Sequence, residues 1–497
     1  MGIPSYFSQI IKKYPTIVRN MKHHRGLTQF HNLYMDCNSI IYDAVHSLDS
    51  KPPADIEYAI IAHVIQNIEK YIIDIKPSHT VIIAFDGVAP FAKMNQQKTR
   101  RYKSAFMTES KPVWSTSNIT PGTKFMIMLS ESIGRYFKHT EQKYGIQQMI
   151  VSGSDENGEG EHKIFKHIRE KPNIEQNTMI YGLDSDLIML TIFHTHLFKN
   201  GYIFREAPEF MKSSIDVDVS AKDPYVLDIG MLSDCIQKNF DCKYKDRRRI
   251  YDYVFMCFLL GNDFLPHFPG LNIRTHGIGT LMDTYVNVLG KYPDRFFIKD
   301  GVIQWRYFAM FIKEIAKNEH QFILNEYSVR DKNDKRTWKM KTDEDRENTI
   351  LNLPVIYRGD EKYICPNEKM WEERYYTVLF HKARNQENVK SICINYLEGI
   401  EWVFKYYSGD CPDWRWAYNY HYPPLFVDLQ HYIPDFSTTF IPQFRPAFSS
   451  RVQLAYVLPN NTKDLEFKWA FCRYFWEAHV CFPPISIEAL EQDSFCV

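Results

Sequence analysis

The sequence lacks the segments that would place a protein in or across a membrane. No uninterrupted apolar run reaches the length that spans a bilayer. The N-terminus has no charged region followed by a long apolar stretch, and Tyr6 stands where a myristoylation signal has Ser or Thr. We therefore expect a soluble intracellular protein with no membrane partner.

The sequence also lacks paired cysteines and a net charge. Its ten cysteines are scattered without a C-x-x-C spacing, which excludes the common zinc and dithiol redox motifs and predicts buried free thiols. Lys plus Arg and Asp plus Glu each number 60, so the formal net charge is zero. Any affinity for nucleic-acid phosphates must therefore come from locally clustered cations.

The chain has instead a large apolar and aromatic content. Its 497 residues are 44% hydrophobic and 15% aromatic, which is enough for a large core in two or three domains. Short apolar runs alternate with amphipathic stretches, which predicts an α/β fold with a mixed, mainly parallel central sheet and flanking helices. We predict a crossover helix over residues 56–75 and strands over residues 32–35, 80–85, 148–151 and 178–183.

Acidic residues follow these predicted strands or stand in glycine-flanked turns. The seven acids are Asp36, Asp86, Glu159, Glu161, Asp184, Asp186 and Asp263. Because ligands of open α/β sheets bind outside the carboxyl ends of the strands, we expect these carboxylates to converge on one site. Oxygen ligands suit Mg²⁺ or Mn²⁺, and two such ions about 4 Å apart catalyse phosphodiester hydrolysis.

A turn or cap role is the more frequent explanation for any single Asp at a strand end. Seven such acids together favour a metal site. Residues two apart on an extended segment point to the same side. We therefore expect Glu159 and Glu161 to face the metals together, and Asp184 and Asp186 to do the same.

Cations recur at helical spacing shortly after Asp86, and Pro90 fits the start of that helix. One face of the predicted helix carries Lys93, Gln97, Arg100 and Arg101. Such a face suits a terminal phosphate dianion. The alternative is a solvated helix surface, but the closeness to Asp86 favours a 5′-monophosphate pocket. Lys98 and Lys103 lie off this face, and we expect them to be ordinary surface charges.

A charged stretch over residues 330–348 has few aliphatic residues and predicts an exposed linker. We therefore divide the chain into residues 1–300, a connecting segment over residues 301–370, and an aromatic-rich region over residues 371–497.

Six segments resemble, in order, the first conserved region of the Xrn family of 5′→3′ exoribonucleases: MGIPSYF, NLYMDCNSIIY, AFDGVAPFAKMNQQKTRRY, NGEGEHKI, YGLDSDLIML and FLLGNDFLPHFP. Three later segments resemble its second conserved region: GIEWVFKYY, DWRWAYNYHYPP and FRPAFSSRVQLAYVLP. The resemblance is weakest between about residues 300 and 370. It implies a PIN/FEN-like nuclease core, with a helical and aromatic second region packed against it.

The resemblance further implies a processive enzyme that hydrolyses 5′-monophosphorylated single-stranded RNA to nucleoside monophosphates. The seven acids would be metal ligands for two Mg²⁺ (or Mn²⁺) ions, and a decapping enzyme would supply the RNA during mRNA degradation. We expect a cytoplasmic monomer. At 59.0 kDa the chain resembles the compact versions that large DNA viruses carry, and we expect it to lack C-terminal accessory domains. A viral source would extend the location to the viral factory or the virion.

The resemblance also assigns roles at the substrate entrance. Residues that would separate a duplex are Gly2, Ile3, Pro4 and Pro90. Tyr42 stands where the family has a base-stacking His, and its partner would be a Trp of the W-x-W pattern, for which we favour Trp416 over Trp414. Stacking on an aromatic ring tolerates any base, so a Tyr can take the role.

Two alternatives remain open. A flap-endonuclease-like DNA nuclease shares the acidic core, and residues 269–279 faintly resemble its helix-hairpin-helix, although the cationic face and the aromatic region argue for the exoribonuclease. A non-catalytic RNA-binding scaffold would be expected to have lost ligands, yet all seven acids are present.

Overall fold

A computed structural model describes most of the chain. The described residues are 3, 5–21, 29–48, 53–107, 114–182, 184–205, 225–334, 341–342, 345, 358–441, 443–458 and 485–495.

Strands from the first half of the chain form a seven-stranded central sheet within the described residues. The strands are β1 Val18–Asn20, β2 Asn32–Asp36, β3 Thr80–Ala84, β4 Gln148–Ser152, β5 Asn173–Tyr181, β6 Phe198–Arg205 and β7 Tyr225–Asp228. Their order is β1-β7-β6-β5-β2-β3-β4. Strands β6, β5, β2, β3 and β4 are parallel, whereas β7 is antiparallel to both of its neighbours. The predicted mixed, mainly parallel sheet is confirmed.

Helices flank the sheet and build the second half of the chain. In the first half they are α1 Tyr6–Lys13, α2 Asn38–Leu48, α3 Ile56–Ile75, α4 Phe91–Met107, α5 Lys124–Phe137, α6 Glu141–Tyr144, α7 Gly160–Glu170, α8 Asp186–Phe193 and α9 Ile229–Asn239. Beyond them lie α10 Arg249–Cys257, α11 Gly277–Tyr285, α12 Trp305–Ala316, α13 Glu319–Asp334, α14 Gly359–Ile364, α15 Trp371–Phe380, α16 Gln386–Ser408, α17 Phe426–Leu429, α18 Ser450–Val457 and α19 Ile487–Phe495. A short hairpin pairs β8 Ile298–Lys299 with β9 Val302–Ile303.

The two faces of the sheet pack into different cores. Because side chains alternate along a strand, Leu33 and Met35 of β2 point into a core shared with α2, α3 and α5. Tyr34 points to the other face, into a core that continues through α7 and α8 to Trp305 of α12 and Trp402 of α16. The helical half of the chain is therefore continuous with the sheet through one apolar core.

The predicted helix over residues 56–75 is confirmed without change as α3. The predicted exposed linker is wrong at its start, because Arg330 is buried inside α13 and its guanidinium pairs with Glu361 of α14 at 2.7 Å. Residues 335–340 and most of residues 343–357 lie outside the described residues. The division of the chain at residues 300 and 370 stays a prediction.

Among the described residues, no helix combines the length and the apolar character that crossing a bilayer requires. The cysteines Cys37, Cys235, Cys242, Cys257, Cys365, Cys393 and Cys411 are free thiols, and most of them are buried.

Candidate active site

The carboxyl ends of parallel strands bring acids from distant segments to one edge of the sheet. Asp36 is the last residue of β2, which pairs in register with β3, and Asp86 follows β3 closely. Glu159 and Glu161 flank the first residue of α7. Asp186 is the first residue of α8. The predicted convergence at this edge follows from the parallel register.

Asp184 and Asp263 belong to the same cluster. Asp184 is exposed, but its charge adds to burial and to Asp86 in raising the pKa of Asp36 well above its ordinary value. Asp263 lies beyond α10; burial, followed by the charge of Asp263, raises the pKa of Asp186 to about 6. All seven predicted acids therefore lie in one electrostatic neighbourhood.

The donor atoms at this edge fit a hard cation. Ligand atoms of Asp36, Asp86 and Glu161 lie within 4.8 Å of one another, as do those of Glu159, Glu161 and His162. Within the described part of the chain, the buried Asp36 Oδ1 has no hydrogen-bond partner. An unsatisfied buried oxygen costs about 1–3 kcal/mol, so a cation at this position would remove a penalty. Carboxylate oxygens are the ligands that Mg²⁺ and Mn²⁺ prefer.

Lys93 of α4 reaches into the acidic cluster. Its Nζ lies 2.7 Å from Glu159 Oε1 and 2.7 Å from Asp263 Oδ2. Burial alone would lower the pKa of Lys93, but the carboxylates of Asp263 and Glu159 raise it well above its ordinary value. In turn, although burial opposes it, Lys93 lowers the pKa of Asp263 to about 2. This ammonium joins the acidic cluster to the predicted phosphate-binding helix.

Close backbone packing holds the loops that carry the acids. The Asp86 carboxylate accepts hydrogen bonds from the Gly160 backbone N–H at 2.8 Å and from the Asn38 side chain. A Cβ on Gly160 would collide with Asp36 Oδ1. A Cβ on Gly87 would overlap a backbone oxygen of the loop before Glu159. Both glycines are therefore required by space at the site.

Two neighbouring tyrosines of α16 donate hydrogen bonds to two of the acids. Tyr406 Oη donates to Glu159 Oε2 at 2.8 Å, and Tyr407 Oη donates to Asp186 Oδ1 at 2.6 Å. Both phenols are buried. Each hydroxyl fixes one carboxylate oxygen, so the helical half of the chain orients acids that the sheet positions.

Sequence reasoning missed four residues of this site. His162 follows the predicted Glu pair and stacks on Tyr406, with ring centroids 3.5 Å apart, and burial lowers its pKa well below the ordinary value. A neutral imidazole can act as a metal ligand. Gln96 Nε2 donates to Asp263 Oδ1 at 2.7 Å. Three signals were available, because His162 adjoins the acids, Gln96 lies in the predicted cationic helix, and Tyr406 and Tyr407 end the segment GIEWVFKYY.

The argument from an extended segment was wrong for both acid pairs. Gly160 and Glu161 are already helical, and only Glu159 has extended dihedrals. Glu159 and Glu161 nevertheless approach each other across the start of α7. Asp186 begins α8 and is buried while Asp184 is exposed, yet the pKa values of both carboxylates respond to the charges of Lys93 and Asp263.

The cationic helix begins at Phe91, directly after the buried Pro90. Gln97 is buried, Arg101 is partly buried and Arg100 is exposed. Arg101 Nη2 donates to the Ile119 carbonyl at 3.0 Å, and its buried Nε has no hydrogen-bond partner among the described residues. The face therefore runs from the acidic cluster outward to solvent, with an unsatisfied donor along it.

Lys98 is not the surface charge that we expected. It is 2% exposed, its ammonium lies 4.2 Å from the centre of the Tyr456 ring, and burial lowers its pKa to about 8. The expectation failed because α18 covers this side of α4. The side chain of Lys103 lies outside the described residues.

The two candidate stacking tryptophans lie in different environments. Trp416 is 5% exposed, stacks on Trp402 with ring centroids 5.4 Å apart, and donates from Nε1 to Glu398 at 3.3 Å. Trp414 is half-buried, and its ring lies beside Gly158 in the loop that leads to the acidic pair. The W-x-W pattern favours Trp416, and the choice between the two stays a prediction.

Of the residues assigned to the substrate entrance, Ile3 lies beside two of the acids. Ile3 is buried, and its carbonyl accepts a hydrogen bond from Ser185 Oγ at 3.4 Å, between Asp184 and Asp186. Tyr42 is half-buried in α2. Gly2 and Pro4 lie outside the described residues.

A mainly parallel sheet with clustered acids at its carboxyl edge, joined to a helical region, defines a PIN-like nuclease core with an accessory helical part. The chain belongs to the Xrn family. The family model for the "XRN 5'-3' exonuclease N-terminus" matches residues 1–207, and that for the "Xrn1 helical domain" matches residues 243–369 and 364–465.

Curated relatives are similar along almost the whole chain. The chain is 27% identical to a 5'-3' exoribonuclease 2 homolog of Drosophila melanogaster, over 92% of this chain and 64% of the relative. It is 26% identical to 5'-3' exoribonuclease 1 of Saccharomyces cerevisiae, over 94% and 40%. For 5'-3' exoribonuclease 1 of Homo sapiens the identity is 28%, over 94% and 31%. The chain thus spans less than two thirds of each of these relatives.

Proposed function

We propose that the protein is a metal-dependent 5′→3′ exoribonuclease that hydrolyses 5′-monophosphorylated single-stranded RNA to nucleoside monophosphates. The observation that carries the proposal is Lys93, because its ammonium places one end of a cationic helix inside the acidic cluster. A terminal phosphate on that helix would hold the first internucleotide bond beside the acids. The names of the similar proteins support the same activity.

The acids would hold two Mg²⁺ or Mn²⁺ ions. When bound, such ions supply an activated water and stabilise the charge on the leaving oxygen. The residues of the chain bind and orient the RNA. The unsatisfied Nε of Arg101 and the exposed guanidinium of Arg100 offer donors to the terminal phosphate. Tyr42 and a tryptophan, Trp414 or Trp416, would stack the first bases.

The substrate preference suggests how the enzyme is supplied. A capped or triphosphorylated end carries more bulk and charge than this pocket is proposed to accept, so a decapping enzyme that leaves a 5′-monophosphate would supply the RNA. We further propose that the protein works as a cytoplasmic monomer during mRNA degradation. Sedimentation of the purified chain would test its oligomeric state.

The proposal is tested by following the digestion of monophosphorylated RNA that is labelled at either end. With Mg²⁺, a 5′ label should appear at once as a mononucleotide, whereas a 3′ label should stay in full-length RNA until a molecule is degraded to its 3′ end, as processive digestion from the 5′ end requires. Asp186→Asn should abolish both signals while the circular dichroism spectrum is unchanged. The matched control is Asp55→Asn, an exposed acid at the start of α3 whose side chain makes no capping hydrogen bond. Internal cuts in both labelled substrates would contradict the proposal.

The DNA-nuclease alternative has less support. Residues 261–276 contain neither helix nor strand, so only residues 277–279 of the faint resemblance over residues 269–279 are helical. Direct competition between 5′-phosphorylated RNA and a DNA flap distinguishes the two activities. The scaffold alternative is tested by the same labelled RNA, since a scaffold would bind it without degrading it.

A further inference from the structure

One buried glutamine of α18 connects the loop after Asp86 to the cationic helix. Gln453 is 0% exposed. Its Oε1 accepts a hydrogen bond from the Ala89 backbone N–H at 3.0 Å, and its Nε2 donates to Gln97 Oε1 at 3.2 Å. Gln97 is one of the residues proposed to bind the terminal phosphate, and it is itself 7% exposed.

The chemistry of these groups fixes the orientation of both amides. A backbone N–H can only donate, so Gln453 must turn its oxygen to Ala89 and its nitrogen to Gln97. An amide nitrogen also only donates, so Gln97 must turn its oxygen to Gln453. The Nε2 of Gln97 is thereby directed away from Gln453. Phosphate oxygens only accept at neutral pH, so this is the end of Gln97 that can bind a phosphate.

The position of Gln453 is fixed by contacts one turn further along α18. Tyr456 Oη donates to Asn95 Oδ1, and the buried Lys98 ammonium lies over the Tyr456 ring. These contacts lie in the buried interface between α4 and α18 and hold the two helices together. Gln453 therefore cannot withdraw without breaking a packed and hydrogen-bonded interface.

We infer that Gln453 is a positioning residue for 5′-end recognition, which sets Gln97 as a hydrogen-bond donor to the terminal phosphate. This inference rests on the proposed function. It assigns end specificity partly to a residue that lies far along the chain from the phosphate helix and does not itself contact RNA.

The test measures binding of 5′-phosphorylated and 5′-hydroxyl forms of one phosphorothioate RNA oligonucleotide to the full chain. The parent should prefer the phosphorylated form. Gln453→Met should reduce that preference about tenfold or more, the usual effect of one hydrogen bond to a charged group. Gln453→Glu, measured above the pH of about 8–9 to which burial can raise the pKa of a glutamate, keeps the acceptor for Ala89 but turns the Gln97 oxygen outward. It should reduce the preference further, and it serves where Gln453→Met does not fold.

The decisive readout is coupling to Gln97. In a Gln97→Ala background, neither Gln453 substitution should change the preference any further. The control Gln430→Glu, whose amide donates to the Val427 carbonyl in α17, should leave the preference at the parental ratio. Equal weakening for both RNA forms, or effects that add to Gln97→Ala, would overturn the inference. A parent that does not distinguish the two RNA ends would overturn the proposed function itself.

Discussion

At the scale of single residues, the site is governed by charges held at close range. Lys93 contacts Glu159 and Asp263, and its positive charge offsets part of the repulsion among the acids. Asp86 and Asp186 still keep a raised pKa, because burial and neighbouring carboxylates disfavour their charged forms. Protons and metal ions therefore compete for the same oxygens in a pH range close to neutrality.

We predict that metal binding weakens sharply in mild acid. The pKa of Asp86 and that of Asp186 are both raised from 3.8 to about 6, and a metal needs the deprotonated forms. Below that pH, the Mg²⁺ concentration for half-saturation should rise by about tenfold per pH unit for each acid. The measurement is the shift of melting temperature against Mg²⁺ concentration across this pH range. Affinity that is constant through it would contradict the assignment of both acids.

The raised pKa values of Asp86 and Asp186 also determine how the stability of the metal-free protein depends on pH. A folded-state pKa above the unfolded value means that the protonated acids favour folding, so this contribution is complete below about pH 4 and is lost as the pH rises through about 6. As the pH rises through about 6, this contribution to the melting temperature in EDTA should therefore disappear. Over the same pH range, the increase in melting temperature caused by Mg²⁺ should grow.

The two candidate stacking tryptophans should respond differently to substitution. Trp416→Ala removes a ring buried against Trp402 and should lower the unfolding free energy by about 3–5 kcal/mol. Trp414→Ala removes a half-buried ring near Gly158 and should cost less stability. If Trp414 stacks a base, its loss should weaken RNA affinity by about 1–3 kcal/mol. Urea unfolding gives the unfolding free energy of both variants, and a binding assay gives their RNA affinity. Loss of affinity only in Trp416→Ala would identify Trp416 as the stacking residue.

The acids were predictable one by one because their position after apolar strands and their chemistry are both visible in a sequence. The tyrosines were not, because Tyr406 and Tyr407 meet partners 247 and 221 residues away. Lys98 failed for a related reason, since helical spacing shows which residues share a face and does not show which helix will cover it.

At the scale of elements, α16 orients two of the acids from the helical half of the chain. It spans 23 residues, and it contacts two acid-bearing loops through adjacent side chains. A hydroxyl that donates to one carboxylate oxygen restricts rotation of that carboxylate and leaves its other oxygen oriented. The helix thus prepares the acids for a cation before any substrate arrives.

We predict that Tyr406→Phe and Tyr407→Phe each weaken metal binding by about 10- to 100-fold. The phenyl rings keep the packing, so the melting temperature in EDTA should stay close to that of the parent while the metal affinity falls. Tyr396→Phe is the matched control, because that buried hydroxyl on the same helix donates to the Pro266 carbonyl instead of an acid. Isothermal titration with Mn²⁺ measures all three variants. A Tyr396→Phe protein that loses as much affinity as the other two would show a general effect of α16.

Local patterns predicted the elements that are close in sequence. The helix over residues 56–75 and the strand beginning at Asn32 were predictable because apolar periodicity within one segment decides them. Arg330 shows the limit of this reasoning. A charged composition predicts exposure, yet a buried arginine is stable where a glutamate from another helix reaches it.

At the scale of the whole molecule, ion pairing links α13 to α14 across the predicted linker. Glu361 accepts from Arg330 at 2.7 Å and from Arg358 at 2.5 Å, and all three side chains are buried. The two helices are therefore held together by more than apolar contact.

We predict that Glu361→Gln lowers the unfolding free energy by about 3–5 kcal/mol, because it leaves two buried guanidinium groups without their shared carboxylate. Asp331→Asn is the control, since that acid pairs with Arg358 at 2.8 Å but its side chain is 65% exposed. It should cost about 0–1 kcal/mol. Chemical unfolding of both variants provides the comparison, and similar losses in the two would show that burial does not decide the effect.

The position of Asp263 in the chain bears on how the two regions of the protein evolved. This acid lies beyond residues 1–207 and inside the helical-domain match that begins at residue 243, as do Tyr406 and Tyr407. Neither coding segment specifies a complete set of acids and their oriented partners. Recombination that replaced only one of the two segments with that of a distant relative would separate acids from the residues that orient them. We therefore expect the two segments to have been inherited together.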